Sequence, residues 1–440
     1  MKTVRTFSLI VSALVCALAF SVRAELLAGA ATADITPQLE GHKIPLNGYG
    51  ARHKKPATGV HDPISAKVLV LKSGDTSAAI AVVDLVLVSP ELRKAVLKRL
   101  EGTGIGDQNL LISATHTHSA PASMQKNFIA HVAFGKYQKW LVEWTADQIA
   151  TAIKQAQAGL QPAVLKAASG RAPGLTLNRR DPAKSYNYDT RRFTSAYDPK
   201  NPANLTDDEM IVLRLDNKAG KPIAVLVNFA THATVLGADN LLISADWPGA
   251  MRRELEQTYP GATAIFMNGA EGDQAPAMPD NPDDFACVDI IGKNIAAAAK
   301  PLLDNALPVN AEPLQTMIVR RQVPGGIEAE GIKLPSAVGK KWFPAITFTG
   351  VRVGDVIFLG APLEMVSEIG LNIKAGARGL GYPVPIIAGL ANDYLLYCAV
   401  PDQFAQGGYE VGNTAHGQIE AGLVIGEEMM MAYKLRSSRQ

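Results

Sequence analysis

The sequence predicts an α/β protein of layered, mixed β-sheets with flanking helices and a functional site at the carboxyl ends of the strands. Two observations carry this expectation. Apolar runs of strand length alternate with segments of helical period along the chain. Five of the strand-like runs then end in polar clusters: "LLISATHTH", "AVLVNFATH", "AIFMNGAEGD", "VIFLGAPLE" and "PIIAGLANDYLLY". In layered α/β proteins the carboxyl ends of strands collect at one edge and loops build the site there, so segments distant in sequence meet.

The elements follow in order. Residues 1–24 read as a secretory signal peptide: Lys2 and Arg5 give a basic start, "FSLIVSALVCALAFSV" is an apolar core, and Val22-Arg23-Ala24 resembles a small-residue cleavage site. That core has 16 residues, whereas a spanning helix needs roughly 20. No later segment reaches that length, so the expectation is an exported, periplasmic or extracellular protein, with residues 25–440 forming one catalytic domain without a transmembrane segment. "AKVLVL" and "AAIAVVDLVLV" read as strands, "PELRKAVLKRLE" as a helix and "NLLISATH" as a strand. A helix from about residue 137 to 157 places Trp140, Val142, Trp144, Ile149, Ile153 and Ala156 near one face.

The alternation then recurs. "MIVLRLD" and "KPIAVLVNFATH" are strands, "WPGAMRRELEQ" opens a helix, and "ATAIFMNGAEGD" is a strand. The helix "CVDIIGKNIAAAAKPLLD", the hairpin "GVRVGDVIFLGAPLE", a helix near "MVSEIGLNIKAG" and the strand "VPIIAGLAND" complete the series. A polar stretch broken by Pro and Gly, from about 174 to 207, reads as a long ordered loop, and a second irregular stretch spans about 325–343. No internal repeat is detectable.

Composition narrows the function classes. With 440 residues, 47% of them apolar and 19% charged, the chain can bury a large core. Losing Lys2, Arg5 and Arg23 with the leader takes the formal charge from +2 to −1, which argues against a nucleic-acid partner held through phosphates. Cys287 and Cys398 remain in the mature chain and could pair in an oxidising compartment, though two cysteines do not make a disulfide scaffold.

Two strand ends carry histidine in the same style, Thr115-His116 and Thr231-His232. In an ideal strand His116 and His118 would face opposite sides, so only one of them need be a ligand. Two independent histidine endings suggest a metal site, with neutral imidazole bound to Zn²⁺. Glu364 would be costly to bury unpaired. As a third ligand it would complete two histidines and one carboxylate with a position left for water, the pattern of a hydrolytic zinc site; as a capping or solvated residue it would do none of this. Asn268, Glu271 and Asp273 lie in a Gly-punctuated loop that either supports the site or is simply a tight turn. Asp84, inside an apolar strand, needs a buried partner, Asp246 reads as a helix cap, and His61 is the N-terminal histidine to watch.

Several ordered motifs together resemble the neutral/alkaline ceramidase family of zinc-dependent amidases, over roughly residues 26–425. "GAATADIT", "LNGYG" and "GVHDP" are similar to the family's opening elements, "SATHTHSAP" to its Thr-His-Thr-His-Ser-Gly-Pro signature, and "NFATHAT…ISADWPG" to its second histidine segment. The C-terminal Asn392, Tyr394, Tyr397 and Tyr409-Glu410 keep the family's spacing. The resemblance implies Zn²⁺ held by His116, His232, Glu364 and Tyr397, with His118, Arg179 and Tyr409 polarising the substrate. It implies a small-molecule or lipid amide substrate hydrolysed by zinc-activated water. Two departures bear on the substrate. Ala275 stands where the family loop has a serine, and the family's additional C-terminal β-domain is not represented. They keep two alternatives open: a zinc hydrolase of a soluble ester, lactone or sugar-linked amide, and a non-catalytic metal-containing binding protein.

Overall fold

Near-continuous apolar strands mark sheets buried on both faces, and period-two alternation assigns each residue to one of two cores. The computed structural model describes residues 25–180, 186–188, 190–193, 205–322, 327–329, 332–334 and 345–437. The expected signal peptide, and parts of both irregular stretches, lie outside the described residues.

The chain opens on β1 (Leu27–Asp34). A first unit follows: β2 (Ser65–Ser73), β3 (Thr76–Val83), α1 (Pro90–Arg99) and β4 (Leu110–Ala114). Helices α2 (Phe128–Phe134) and α3 (Lys139–Ala158) and strands β5 (Gln161–Arg171) and β6 (Thr176–Asn178) lead to a second. That unit is β7 (Glu209–Asn217), β8 (Pro222–Phe229), α4 (Asp246–Thr258) and β9 (Thr263–Asn268). After β10 (Gln274–Pro276), α5 (Asp284–Asp304) and β11 (Leu314–Arg321) comes a third. It comprises β12 (Ile346–Val353), β13 (Val356–Gly360), the two-residue β14 (Glu364–Met365), α6 (Ser367–Gly379) and β15 (Val384–Ala388). The chain closes with β16 (Tyr397–Cys398), the short α7 (Tyr409–Gly412) and α8 (Glu420–Ser437).

Each unit is an antiparallel hairpin whose second arm continues through a helix into a parallel strand: β2/β3 then β4, β7/β8 then β9, β12/β13 then β15. This threefold topology has no counterpart in a sequence repeat. The hairpin and crossover are specified by turn residues and apolar period, which many sequences satisfy.

The first two units join through β1 and β5 into a nine-stranded sheet, ordered β9-β8-β7-β5-β1-β2-β3-β4, with Leu307–Pro308 paired beside β5. The third unit and β11 form a four-stranded sheet, β11-β12-β13-β15. The sheets pack face to face. Leu69, Leu71, Ile80, Val82, Leu226 and Met267 of the large sheet meet Val351, Phe358 and Ile386 of the small one. Their alternate neighbours face helices instead: Val68, Val70, Ala79 and Ala81 cover α1 and α3, Val225, Val227 and Phe266 cover α4 and α5, and Ile357, Leu359 and Ile387 cover α6 and α8. The result is a four-layer helix–sheet–sheet–helix sandwich.

Local signals set the helix ends. Ser89 caps α1 by accepting from Leu92 N at 3.1 Å, with Pro90 in the first turn. In α3 the buried stripe runs through Leu141, Val142, Ala146, Ile149, Ile153 and Ala156; Trp140 and Trp144, expected on that face, are only partly buried at its margin. Cys287 and Cys398 are both buried free thiols in separate cores, so the pairing left open by the sequence is not formed. No helix among the described residues is long and apolar enough to cross a membrane.

Candidate metal centre

The parallel pairs of all three units end at one place. Ser113 Oγ donates to Gly389 O at 2.8 Å, and Asn228 Nδ2 donates to both Met267 O and Ile387 O. The ends of β4, β8, β9 and β15 are thereby cross-linked.

At the end of β4 the backbone turns. Thr115 N bonds Val83 O and His116 N bonds Leu85 O, while His116 takes a left-handed φ of 68°, a conformation costing a residue with a Cβ on the order of 1–3 kcal/mol. Asp84 braces this turn. Its carboxylate accepts from Thr115 Oγ1 and Ser65 N, and from Arg252 in a bidentate pair at 2.7 and 2.6 Å. Arg252 is the buried partner that Asp84 required. The left-handed turn also overturns the expectation that His116 and His118 diverge. Their rings meet edge-on with centroids 4.7 Å apart and Nε2 atoms 3.1 Å apart. Gly48 makes room for this: at φ 93° it lies so close to His118 that a Cβ there would sit 2.3 Å from the ring.

His232 follows β8. Its carbonyl accepts from Nε1 of the fully buried Trp247 at 2.9 Å. Asp246, expected to cap α4, instead takes φ 55° as the first residue of that helix and accepts from Leu236 N and Trp247 N, fixing the loop after His232. Asn268 at the end of β9 donates to Thr231 O at 3.1 Å and Thr115 O at 3.4 Å, tying the two histidine turns together.

Both imidazoles are oriented the same way. His116 Nδ1 donates to Val86 O at 2.7 Å, and His232 Nδ1 to Glu271 O and Gln274 O at 2.9 Å. Carbonyls only accept, so each Nδ1 carries a proton, and a neutral ring presents its lone pair at Nε2. Both Nε2 atoms lie 3.2 Å from the same atom, Glu364 Oε2. Glu364 opens β14, whose register pairs it with Tyr397, and its Oε1 accepts from Tyr394 Oη at 2.6 Å. Tyr397 Oη lies 3.3 Å from His232 Nε2. The structure thus brings His116, His232, Glu364 and Tyr397 to one buried point, with His118 beside them.

Arg179 closes one side. Its Nε donates to Glu410 Oε1 at 2.6 Å, Nη2 to Gly272 O and to Tyr397 Oη at 3.1 Å, and Nη1 lies 3.4 Å from His232 Nε2. Most of its donors therefore serve the protein. Tyr409 is half-exposed, with its ring 5.5 Å from that of Tyr397. Asp273 takes a supporting role, accepting from Ser367 N and Asn178 Nδ2. Ala275 is fully buried, in register with Leu177. His61 pairs with Asp62 and stacks on Phe285, away from this cluster.

The electrostatics are polarised across the cluster. Burial works to lower His116, but the charge and hydrogen bond of Glu364 outweigh it and raise its pKa. Burial and the Arg179 charge push His232 down to about 4. His118 is held well below the ordinary histidine value by burial and its two histidine neighbours. Burial works to raise Glu364, yet His116 and His232 hold it well below the carboxylate range. Glu271 is pushed up to about 8, chiefly by burial.

Imidazole nitrogens, a carboxylate and a phenol oxygen face one another at 3.1–3.3 Å in a buried cluster, where a cation between them is favourable. The donor set therefore fits a metal ion. Among the described residues, two groups have ligand atoms all within 4.8 Å of one another, His116 with His118 and His232, and His116 with Glu271 and Glu364. Two cavities flank the cluster and share His118, Tyr397 and Tyr409. One, of about 150 Å³, is walled by Val86, Leu87, Ala130, Phe134 and Leu396; the other, of about 710 Å³, by Tyr49, Tyr186, Tyr188, Arg191 and Asp239. Ala275 lines neither.

Known proteins resemble this chain in sequence and in fold. A relative from Mycobacterium tuberculosis, named neutral ceramidase, is 23% identical over 93% of this chain and 77% of its own length. The neutral ceramidase of Pseudomonas aeruginosa is 24% identical over 93% of this chain and 72% of its own length. The crystal structure of neutral ceramidase from Pseudomonas aeruginosa superposes with a TM-score of 0.81, at 21% identity, over 94% of this chain and 75% of that one. The family described as neutral/alkaline non-lysosomal ceramidase, N-terminal, matches residues 26–287, and the chain belongs to that family.

Proposed function

We propose that this chain is a zinc-dependent amidohydrolase that cleaves the N-acyl amide bond of a ceramide-like lipid. The observation that carries this reading is the meeting of His116 Nε2, His232 Nε2, Glu364 Oε2 and Tyr397 Oη at one buried point. Two imidazoles, a carboxylate and a phenol oxygen form a nitrogen and oxygen donor set suited to zinc. The names of the two relatives support the substrate class. When bound there, Zn²⁺ supplies Lewis-acid polarisation of a carbonyl and acidification of water to near neutrality.

The chain's own residues supply the rest. Val86, Glu271 and Gln274 hold Nδ1 of His116 and His232, so that each ring turns Nε2 toward the ion. Arg179, anchored by Glu410, sets the Tyr397 oxygen and works against burial and the Glu364 charge, which hold this phenol well above its ordinary pKa. Tyr409 stands between the two cavities, where its hydroxyl can donate to the amide carbonyl oxygen as that oxygen gains charge. His118 is kept neutral by burial; with one ring proton and one lone pair, it carries a proton toward the leaving nitrogen. The Val86, Leu87, Ala130, Phe134 and Leu396 wall of the smaller cavity suits the acyl end, and the tyrosine- and arginine-lined cavity the polar end. Residues 1–24 as an export leader and residues 25–440 as one catalytic domain belong to the same proposal; N-terminal sequencing of the exported protein is expected to begin at Glu25.

One observation favours a second substrate class. The cavity beside His116 is the smaller of the two, about 150 Å³ against about 710 Å³, which suits a short acyl group. Metal analysis combined with a substrate panel tests both readings. Stoichiometric zinc with turnover of N-acylsphingosine is expected. Turnover confined to short soluble amides or esters transfers the assignment to the second class, and zinc without any turnover leaves a binding protein.

A further inference from the structure

Glu271 is the carboxylate of the cluster that the proposed ligand set leaves unused. It is fully buried, and neither carboxylate oxygen has a hydrogen-bond partner among the described residues. A buried carboxyl group without donors either stays protonated or needs a cation beside it. Arg179 gives it no hydrogen bond, being engaged by Glu410, Gly272 and Tyr397. The carboxylate does lie with ligand atoms of His116 and Glu364 in a group spanning no more than 4.8 Å.

Its placement is built, not incidental. The Glu271 carbonyl accepts from His232 Nδ1 and from Gln274 N, so the same residue orients one imidazole while aiming its side chain at the other. Gly272 follows it at a backbone contact so close that a Cβ would lie 2.5 Å from Glu364 O. On the far side a Cβ on Gly389 would sit 2.9 Å from Glu271 Oε2. Gly272 thus lets the loop close onto the Glu364 backbone, and Gly389 leaves the space that the carboxylate occupies.

We infer that Glu271 is an additional carboxylate ligand of the single metal ion at this centre, alongside His116, His232, Glu364 and Tyr397. One ion is favoured over two because the candidate groups share His116. With Nδ1 bonded to Val86 O, that ring has one nitrogen to give, and a second ion near Glu271 and Glu364 would have no nitrogen of its own. Five protein donors give a more oxygen-rich, higher-coordinate ion than the usual catalytic site of three protein ligands and water.

The inference rests on the metal-centre reading above, and the experiment separates the two. Zn²⁺ and Co²⁺ binding to the full chain are measured for wild type, Glu271→Gln, His232→Ala and Glu428→Gln, the last a buried, unpartnered carboxylate on α8. Expected are one ion per wild-type chain, a loss of affinity of about tenfold or more in Glu271→Gln, and no change in Glu428→Gln. The visible Co²⁺ bands of Glu271→Gln should gain intensity as coordination falls from five toward four. Glu271→Ala takes the place of Glu271→Gln if that variant does not fold. One ion bound with unchanged affinity and superimposable Co²⁺ spectra in Glu271→Gln overturns the inference while leaving the metal centre intact. Two ions per wild-type chain overturn it as well. Wild type that binds no ion overturns both.

Discussion

Ala114-Thr115-His116 and Ala230-Thr231-His232 are the same tripeptide at two strand ends, and both histidines reach the same atom, Glu364 Oε2, at 3.2 Å. They get there differently. His116 turns through a left-handed φ braced by the buried Asp84–Arg252 pair, whereas His232 has its carbonyl held by Trp247 and its ring held by the loop after β9. The electrostatic settings also diverge. His116 faces Glu364 and Glu271 and is raised; His232 faces Arg179 and is lowered to about 4. A repeated tripeptide therefore marks a shared destination, while separate parts of the fold supply the route and the charge on each side.

Removing either imidazole breaks the comparison most completely. His116→Ala and His232→Ala should each lose stoichiometric zinc, with activity falling by roughly 10³-fold or more, the scale of several kcal/mol of lost Lewis-acid stabilisation. His118→Ala should keep the metal, so metal analysis of the three variants side by side distinguishes ligand from neighbour. Retained zinc in the His116 or His232 variant would remove that residue from the ligand set.

The braces can be tested separately. Arg252→Met leaves Asp84 buried and unpaired on the His116 side only, and should destabilise the protein by about 3–5 kcal/mol in denaturant titration. Asn268→Ala removes the amide that ties Thr115 to Thr231; a fall in zinc affinity of roughly tenfold, the low end for groups that support ligands, is expected by competition with a chelator. An unchanged affinity there would show the two turns to be held independently. Trp247→Phe deletes the Nε1 donor to His232 O and leaves a cavity where a fully buried indole packed; it should cost about 2–3 kcal/mol, with zinc stoichiometry intact.

What was legible in the sequence follows from what each signal depends on. His116, His232 and Glu364 could be read because a polar residue at the end of an apolar run is a local pattern. Arg252 and Trp247 could not. Both lie on an ordinary amphipathic helix, and their partners are 168 and 15 residues away. The opposite-facing geometry expected for His116 and His118 failed at one dihedral angle that no composition reports. Strands β1 and β5 escaped because "LAGAATAD" and "QPAVLKAASGR" are rich in small or polar residues and lack a strong period. Helix α8 escaped because Glu420 and Glu428 occupy its buried face and interrupt the apolar stripe.

The three hairpin–helix–strand units also have a thermodynamic consequence. The first contributes His116, the second His232 and Glu271, and the third Glu364, with Tyr397 following it. No isolated unit can bring these donors together, so an ion that favours the full set binds the docked assembly and not its parts. Such a ligand shifts the folding equilibrium in proportion to the logarithm of its concentration over Kd, which makes metal supply a control on how much of this protein persists folded as well as on how fast it turns over.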